Sequence, residues 1–173
     1  MARIQGKSVV EESPRVYSLL IQRGFGEKSG KSLVLDFYEA MHLLRAKKIK
    51  LENAKGKIIA EKEAERELLE AGAKSVKGFA EKLCVYEDLR KRGRVPRTGF
   101  KFGFDFRVYP QGRKPGESHT EFVVFVVTQG KSFSAIDLAR MSRASAGIKA
   151  RLLVAVVDSE REVSYYEFGR AIP

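Results

Sequence analysis

The spacing of apolar residues changes character along this chain. In the first third, Leu33-Val34-Leu35 reads as a brief strand. Directly after it, Phe37, Met41 and Leu44 recur at i, i+4 and i+7, one face of a helix. Asp36 stands where that helix needs a cap, with Glu39 three residues on as the other half of a capping box. Upstream, two short apolar runs are broken by Glu11-Glu12-Ser13-Pro14 and closed by Gly24 and Gly26, so this part reads as short strands leading into a helix. The stretch "EKEAERELLEAGAKS" predicts a charged helix stopping at Gly72. Ser75 then caps a further helix carrying Val76, Phe79, Ala80, Leu83 and Leu89, which Gly93 ends.

Past residue 90 the pattern becomes strand-like. "TGFKFGFDFRVY" alternates and is rich in aromatics, and "TEFVVFVV" is a continuous β-prone run. Between them "PQGRKPGES" supplies the prolines and glycines of a hairpin loop. "SAIDLARMSRASAG" predicts a helix with Ser134 at the N-cap, Asp137 at N3 and Gly147 just past its end. "ARLLVAVV" and "VSYYEF" follow as strands joined by the acidic turn "DSERE". The order helix, two strands, helix, two strands implies an α/β (α+β) chain. The expected division is a small N-terminal mixed α/β domain over 1–80 and a C-terminal domain over 81–173, with a central mixed sheet flanked by helices.

Composition narrows the function classes. A chain of 173 residues with 43% hydrophobic content can bury one ordinary core or two small ones. Its 33 Lys and Arg outnumber 22 Asp and Glu, a formal net charge of +11, which suits a polyanionic partner, nucleic acid or an anionic membrane surface, as well as a plain lysine-rich exterior. No apolar run approaches the ~20 residues of a membrane span, and "MARIQGKSVVEESPRVY" lacks the apolar centre of a signal peptide. A soluble cytoplasmic protein is expected. Cys84 stands alone, so neither an internal disulfide nor a cysteine metal cage is available; its apolar helical setting predicts a buried, inert thiol. His42, inside a helix, reads as structural.

Three kinds of chemistry merit weighing. Arg90, Lys91, Arg92, Arg94, Arg97 and Lys101 fall within twelve residues containing no acid. A helix C-terminus favours two or three cations, and a phosphate-contacting surface accounts for all six. Metal chemistry fits poorly. His42, His119 and Cys84 are too scattered for zinc, and a metal-dependent nuclease would want a lysine two residues after a strand acid, where Val123 follows Glu121. Metal-free chemistry has better candidates. Tyr109 closes one strand, His119 opens the next and Lys149 opens a third. A phenol, an imidazole and an ammonium gathered at one sheet edge would suit phosphoryl transfer within RNA.

From about Tyr86 to Phe168 the chain resembles the archaeal tRNA-splicing endonucleases. The segments that carry the resemblance are "YEDLRKRGRVPRTGFKFGFDFRVY", "GESHTEFVVFVV" and "RASAGIKARLLVAVVDSEREVSYYEF". "RGFGEKSGKSLVLDFYEAMHLL" looks like that family's smaller N-terminal domain. The resemblance implies a nuclease-like C-terminal domain that cuts precursor tRNA at bulge–helix–bulge junctions without metal or cofactor, leaving 2′,3′-cyclic phosphate and 5′-hydroxyl ends. It assigns Tyr109 as general base, His119 as general acid and Lys149 as the cation facing the transition state. It further implies that Arg143 and Arg170 clamp a bulged base, with Arg140 as the alternative by helix register. Arg94, Arg97 and Lys101 would contact RNA, and "VSYYEF" would pair chains. Asp158, Glu160 and Glu162 would dock into a partner in a homotetramer. The alternative within the same resemblance is a non-catalytic RNA-binding or structural subunit.

Overall fold

In the computed structural model, residues 1–99, 103–113, 115–169 and 171 are described. The chain divides into two compact units, Met1–Ala80 and Glu81–Pro173.

In the first unit β1 (Ala2–Gln5) and β2 (Ser8–Glu11) form a hairpin whose tight turn needs Gly6 at φ 60°. The second apolar run becomes helix α1 (Pro14–Gln22); Pro14 sits in its first turn, where a missing N–H costs nothing. Strands β3 (Glu27–Ser29) and β4 (Ser32–Leu35) complete an antiparallel sheet in the order β1-β2-β4-β3. Helix α2 (Phe37–Arg45) starts from the anticipated capping box: Asp36 accepts from the Glu39 amide at 2.8 Å, and the Glu39 carboxylate accepts from the Asp36 amide at 3.0 Å. Seven of its residues are buried. His42 is half-buried and stacks on Phe25.

Helix α3 (Glu61–Ser75) differs from expectation, running through Gly72 and ending at Ser75 instead of leaving Ser75 to cap the next helix. The reason is steric. A Cβ on Gly72 would lie 2.4 Å from the Phe79 ring, so this glycine admits an aromatic side chain and is not a helix stop. That ring also stacks on Tyr38, with centroids 4.8 Å apart.

The second unit is a five-stranded sheet between two helices. Its elements are α4 (Phe79–Lys91), β5 (Val95–Thr98), β6 (Phe106–Tyr109), β7 (Phe122–Thr128), α5 (Ala135–Gly147), β8 (Arg151–Val157) and β9 (Val163–Phe168), with sheet order β5-β6-β7-β8-β9. Only the β7–β8 pair is parallel, because α5 carries the chain back between them. Two local readings change. "VPRT" is a strand hidden in the basic stretch, with Pro96 tolerated on the sheet edge. The Gly99 amide donates to the Asp105 carbonyl, so the aromatic stretch contains a bend.

Register assigns the faces. Phe106 pairs with Val124, and the Phe106 ring meets Tyr86 of α4. Val123, one residue away and so on the opposite face, joins Phe104 and Leu152 in a core packed by Met141, Ala144 and Ile148 from α5. Cys84 is half-buried, not buried. Among the described residues no helix is long and apolar enough to cross a membrane.

Candidate active site

The three residues proposed for chemistry come from elements whose ends the sheet brings to one edge. Because β6 and β7 are antiparallel and β7 and β8 parallel, the C-terminal end of β6 adjoins the N-terminal ends of β7 and β8. Val108 pairs with Phe122, and Phe122 with Arg151. A backbone row extends this one step outward: the Glu121 amide donates to the Val108 carbonyl, and the Arg151 amide to the Glu121 carbonyl, each at 2.9 Å. Tyr109 directly follows Val108, His119 lies two residues before Glu121, and Lys149 two before Arg151. Tyr109 is buried; His119 and Lys149 are exposed. None of the three side chains makes a hydrogen bond or ion pair within the protein among the described residues.

Lys149 owes its place to an unusual backbone. The helix ends on Ile148, and Lys149 takes φ 54°, a left-handed conformation that a Cβ makes costly. Its amide donates to the Ala146 carbonyl, and the Ala150 amide to the Ser145 carbonyl. These are the two bonds of a Schellman motif, with lysine where glycine is usual. Gly147, expected at that position, is instead the last helical residue.

Around this edge the charges are matched. Arg94, just before β5, pairs with Glu121, and its guanidinium lies 5.6 Å from the Phe122 ring centre. Arg151 lies 4.8 Å from the same ring and makes two hydrogen bonds to Glu167 of β9. That contact lowers the Glu167 carboxyl below its ordinary value and raises the Arg151 guanidinium above its own. Asp105, just before β6 and so at its other end from Tyr109, is ion-paired with Lys82 at 2.8 Å and accepts from the Val126 amide. Sequence patterning passed over Phe122, Arg151 and Glu167, and considered Glu121 only as a metal ligand; the alternation from Glu121 to Arg151 across paired strands becomes visible once the register is known.

The other predicted residues scatter. Arg90 bonds the Tyr86 hydroxyl, and Arg92 pairs with Asp88 at 2.7 Å beneath the Tyr165 ring. Tyr165 itself donates to Asp88, and burial, then that carboxylate, holds its phenol well above the ordinary value. Arg97 lies within β5 and is half-buried. Arg143 is exposed in the last turns of α5, near the edge that carries Lys149. Arg140 lies about a turn further away, 3.9 Å from Asp137, and borders an open cavity of about 510 Å³ floored by Phe125, Val127 and Met141. Lys101 and Arg170 lie outside the described residues.

At the opposite end of the sheet Asp158 builds the β8–β9 turn, accepting from the Glu160 and Glu162 amides at 2.9 and 2.8 Å. Glu160 and Glu162 stay exposed. Among the described residues no three His, Cys, Asp or Glu side chains cluster as a metal site would.

Comparison with known proteins agrees over both units. The family model for the tRNA intron endonuclease catalytic C-terminal domain matches residues 79–165, and that for the N-terminal domain matches residues 2–72. The chain is 34% identical to the tRNA-splicing endonuclease of Pyrococcus furiosus, covering 93% of this chain and 96% of that one. It is also 34% identical to the tRNA-splicing endonuclease of Thermococcus onnurineus, over 91% and 87% of the two chains. The protein of the same name from Methanothermobacter thermautotrophicus is 32% identical, over 82% and 79%.

Proposed function

The chain belongs to the tRNA intron endonuclease family, and from that premise we propose how this enzyme excises introns from precursor tRNA. It cuts at bulge–helix–bulge junctions without a metal ion. The ribose 2′-oxygen beside the scissile bond attacks phosphorus, the P–O5′ bond breaks, and the products are a 2′,3′-cyclic phosphate and a 5′-hydroxyl. Tyr109 accepts the 2′-hydroxyl proton, His119 in its imidazolium form donates one to the departing 5′-oxygen, and the Lys149 ammonium faces the charge that builds on the phosphorane. One proton is taken and one given, so the step is balanced without a further reactant.

The observation that carries this reading is the sheet register, which leads β6, β7 and β8 to one edge just where Tyr109, His119 and Lys149 occur. Support for a metal-free reaction comes from the neighbouring acids. Glu121 and Glu167 are each engaged by a cation, so a metal would have to break those pairs first. The phenol, imidazole and ammonium have no such commitments.

Arg143 and Arg170 hold a bulged base between them by stacking, while Arg94, Arg97 and Lys101 contact the RNA backbone. Assembly is a homotetramer working in the cytoplasm. The turn bearing Glu160 and Glu162 sits a strand-length from the catalytic edge, about 20 Å for seven residues, which suits a plug for another copy. Strand β9, on the sheet edge, pairs chains. Cleavage of an intron-containing precursor tRNA in EDTA, by wild type and His119→Ala together, tests the reading. Cutting at both junctions with cyclic-phosphate ends, and a loss of about 10²-fold or more in the variant, is expected. Abolition by EDTA, or undiminished cutting by the variant, would overturn it.

A further inference from the structure

We infer that the N-terminal unit carries a second RNA-binding surface, a lysine strip over residues 47–57 that grips the phosphate backbone of the substrate. The choice of RNA as its polyanion rests on the function proposed above. Between Arg45 and Lys57 the chain carries Arg45, Lys47, Lys48, Lys50, Lys55 and Lys57 against a single acid, Glu52. Arg45 is paired with Glu65 at 3.0 Å, and Glu52 lies 3.8 Å from Arg3. Five lysines remain, all exposed and without an ion-pair or hydrogen-bond partner for their ammonium groups among the described residues.

The backbone holds these lysines on two fixed turns. The first is the end of α2, where the Lys47 amide donates to Leu44 and the Lys48 amide to Leu43, with Lys47 at φ 56°. The second is an Asx turn: the Asn53 side chain accepts from the Lys55 and Lys57 amides at 3.0 Å, and Gly56 takes φ 75°. Between the turns, buried Leu51 is pinned against β1 by the bonds from Ala2 to the Lys50 carbonyl and from Glu52 to the Ala2 carbonyl. Five extended residues span about 16 Å, and a duplex presents about one phosphate charge per 1.7 Å of axis. A strip of this length therefore faces several phosphates.

The helix dipole accounts for Lys47 and Lys48 near the α2 C-terminus. It does not reach Lys50, Lys55 or Lys57. An anionic membrane surface fits less well, since such a site adds several inserted apolar residues to its cations, and among the described residues only Met1 and Ile58 are large apolar side chains strongly exposed beside the strip.

The test compares wild type with the fivefold variant K47Q/K48Q/K50Q/K55Q/K57Q and with K62Q/K74Q/K77Q, which neutralises exposed lysines elsewhere in the same unit. Binding to intact precursor tRNA is measured against salt, and cleavage is followed in the same samples. The fivefold variant should lower the slope of log affinity against log salt by about 4, at roughly 0.7–0.9 unit per lost contact, and weaken binding at least tenfold at 0.1 M salt. The control variant should leave the slope near the wild-type value. Equal slopes for all three proteins, or equal falls in both variants, overturn the strip as a specific surface. So does loss of binding to phosphatidylserine vesicles with RNA binding intact. Wild type that binds RNA with the predicted slope change yet never cleaves it would leave the strip standing and overturn the proposed function instead. Melting temperatures of the variants confirm that each has folded.

Discussion

Helices α2 and α5 are built with the same devices and used for opposite ends. Each begins with a capping box, Asp36 with Glu39 and Ser134 with Asp137. Each ends in a Schellman turn with a lysine in the left-handed position, Lys47 at φ 56° and Lys149 at φ 54°. They differ in burial. Seven of the nine residues of α2 are inside the first unit, whereas Ser145 alone is buried among the thirteen of α5. Helix α2 is a core element whose ends must be satisfied for the unit to fold. Helix α5 lies over the sheet with most of its surface in water, and its end fixes where Lys149 leaves the backbone. A glycine would suit both turns better, so a lysine in each implies that the side chain has a use that outweighs the strain.

Replacing each lysine by glycine tests that directly, and the largest expected effect is on catalysis. Lys149→Gly should reduce precursor cleavage by about 10²–10³-fold, or about 3–4 kcal/mol of transition-state stabilisation. The change leaves the turn geometry open to the new residue, so the loss cannot be ascribed to a broken backbone. Lys47→Gly should cost the substrate one phosphate contact and lower the salt slope by about one. Equal losses of cleavage in the two variants would end the distinction between the helices.

Next in size are the caps. Asp36→Ala removes the acceptor for the Glu39 amide at the start of a buried helix, and should destabilise the protein by about 1–2 kcal/mol in denaturant unfolding. Ser134→Ala opens a cap that already faces water and should cost about 0.5–1 kcal/mol. Smaller again is the relief in the two lysine-to-glycine variants. Left-handed backbone costs a side-chain-bearing residue about 1–2 kcal/mol, offset by the greater chain entropy of glycine at about 0.5–1. A net gain of about 0.5–1 kcal/mol should appear in both. Stabilisation with lost cleavage in one, and with cleavage largely kept in the other, would separate the folding role from the functional one.

How much of this was legible follows from the range of the interactions. The capping boxes were readable because cap and partner lie three residues apart. So were the strands "LVL", "FVVFVV" and "RLLVAVV", whose apolar runs need no distant partner to be recognised. Gly72 was misread as a stop because its role depends on the Phe79 ring seven residues on. Strand β5 was concealed by Arg97 and Pro96, which suit an edge strand as well as a loop. The left-handed Lys149 carries no signature, since lysine is not a turn residue. The gathering of Tyr109, His119 and Lys149 depends on pairings between strands as far apart in sequence as Phe122 and Arg151. Their identity as a set came from family likeness, and the register adds that the strand ends they flank lie along one edge.

The finest expected effect is the response of the α5 cap to acid. In α5 the Asp137 carboxyl is lowered below its ordinary 3.8, first by the Ser134 hydroxyl, then by the Ser134 amide, with Arg140 adding attraction. A carboxyl that holds its proton less tightly in the folded protein than in the unfolded chain stabilises the fold above the unfolded value. That contribution fades as pH falls through the lower, folded value. Thermal unfolding between pH 5 and 3 should therefore show wild type losing part of its advantage over Ser134→Ala, with the two curves drawing together at the acid end. The carboxyl is about half exposed and its partners are local, so this should be the smallest of the effects and should shrink little with salt, because hydrogen bonds carry most of it. If the curves stay parallel across that range, the box at α5 is held by the hydroxyl–amide bond alone.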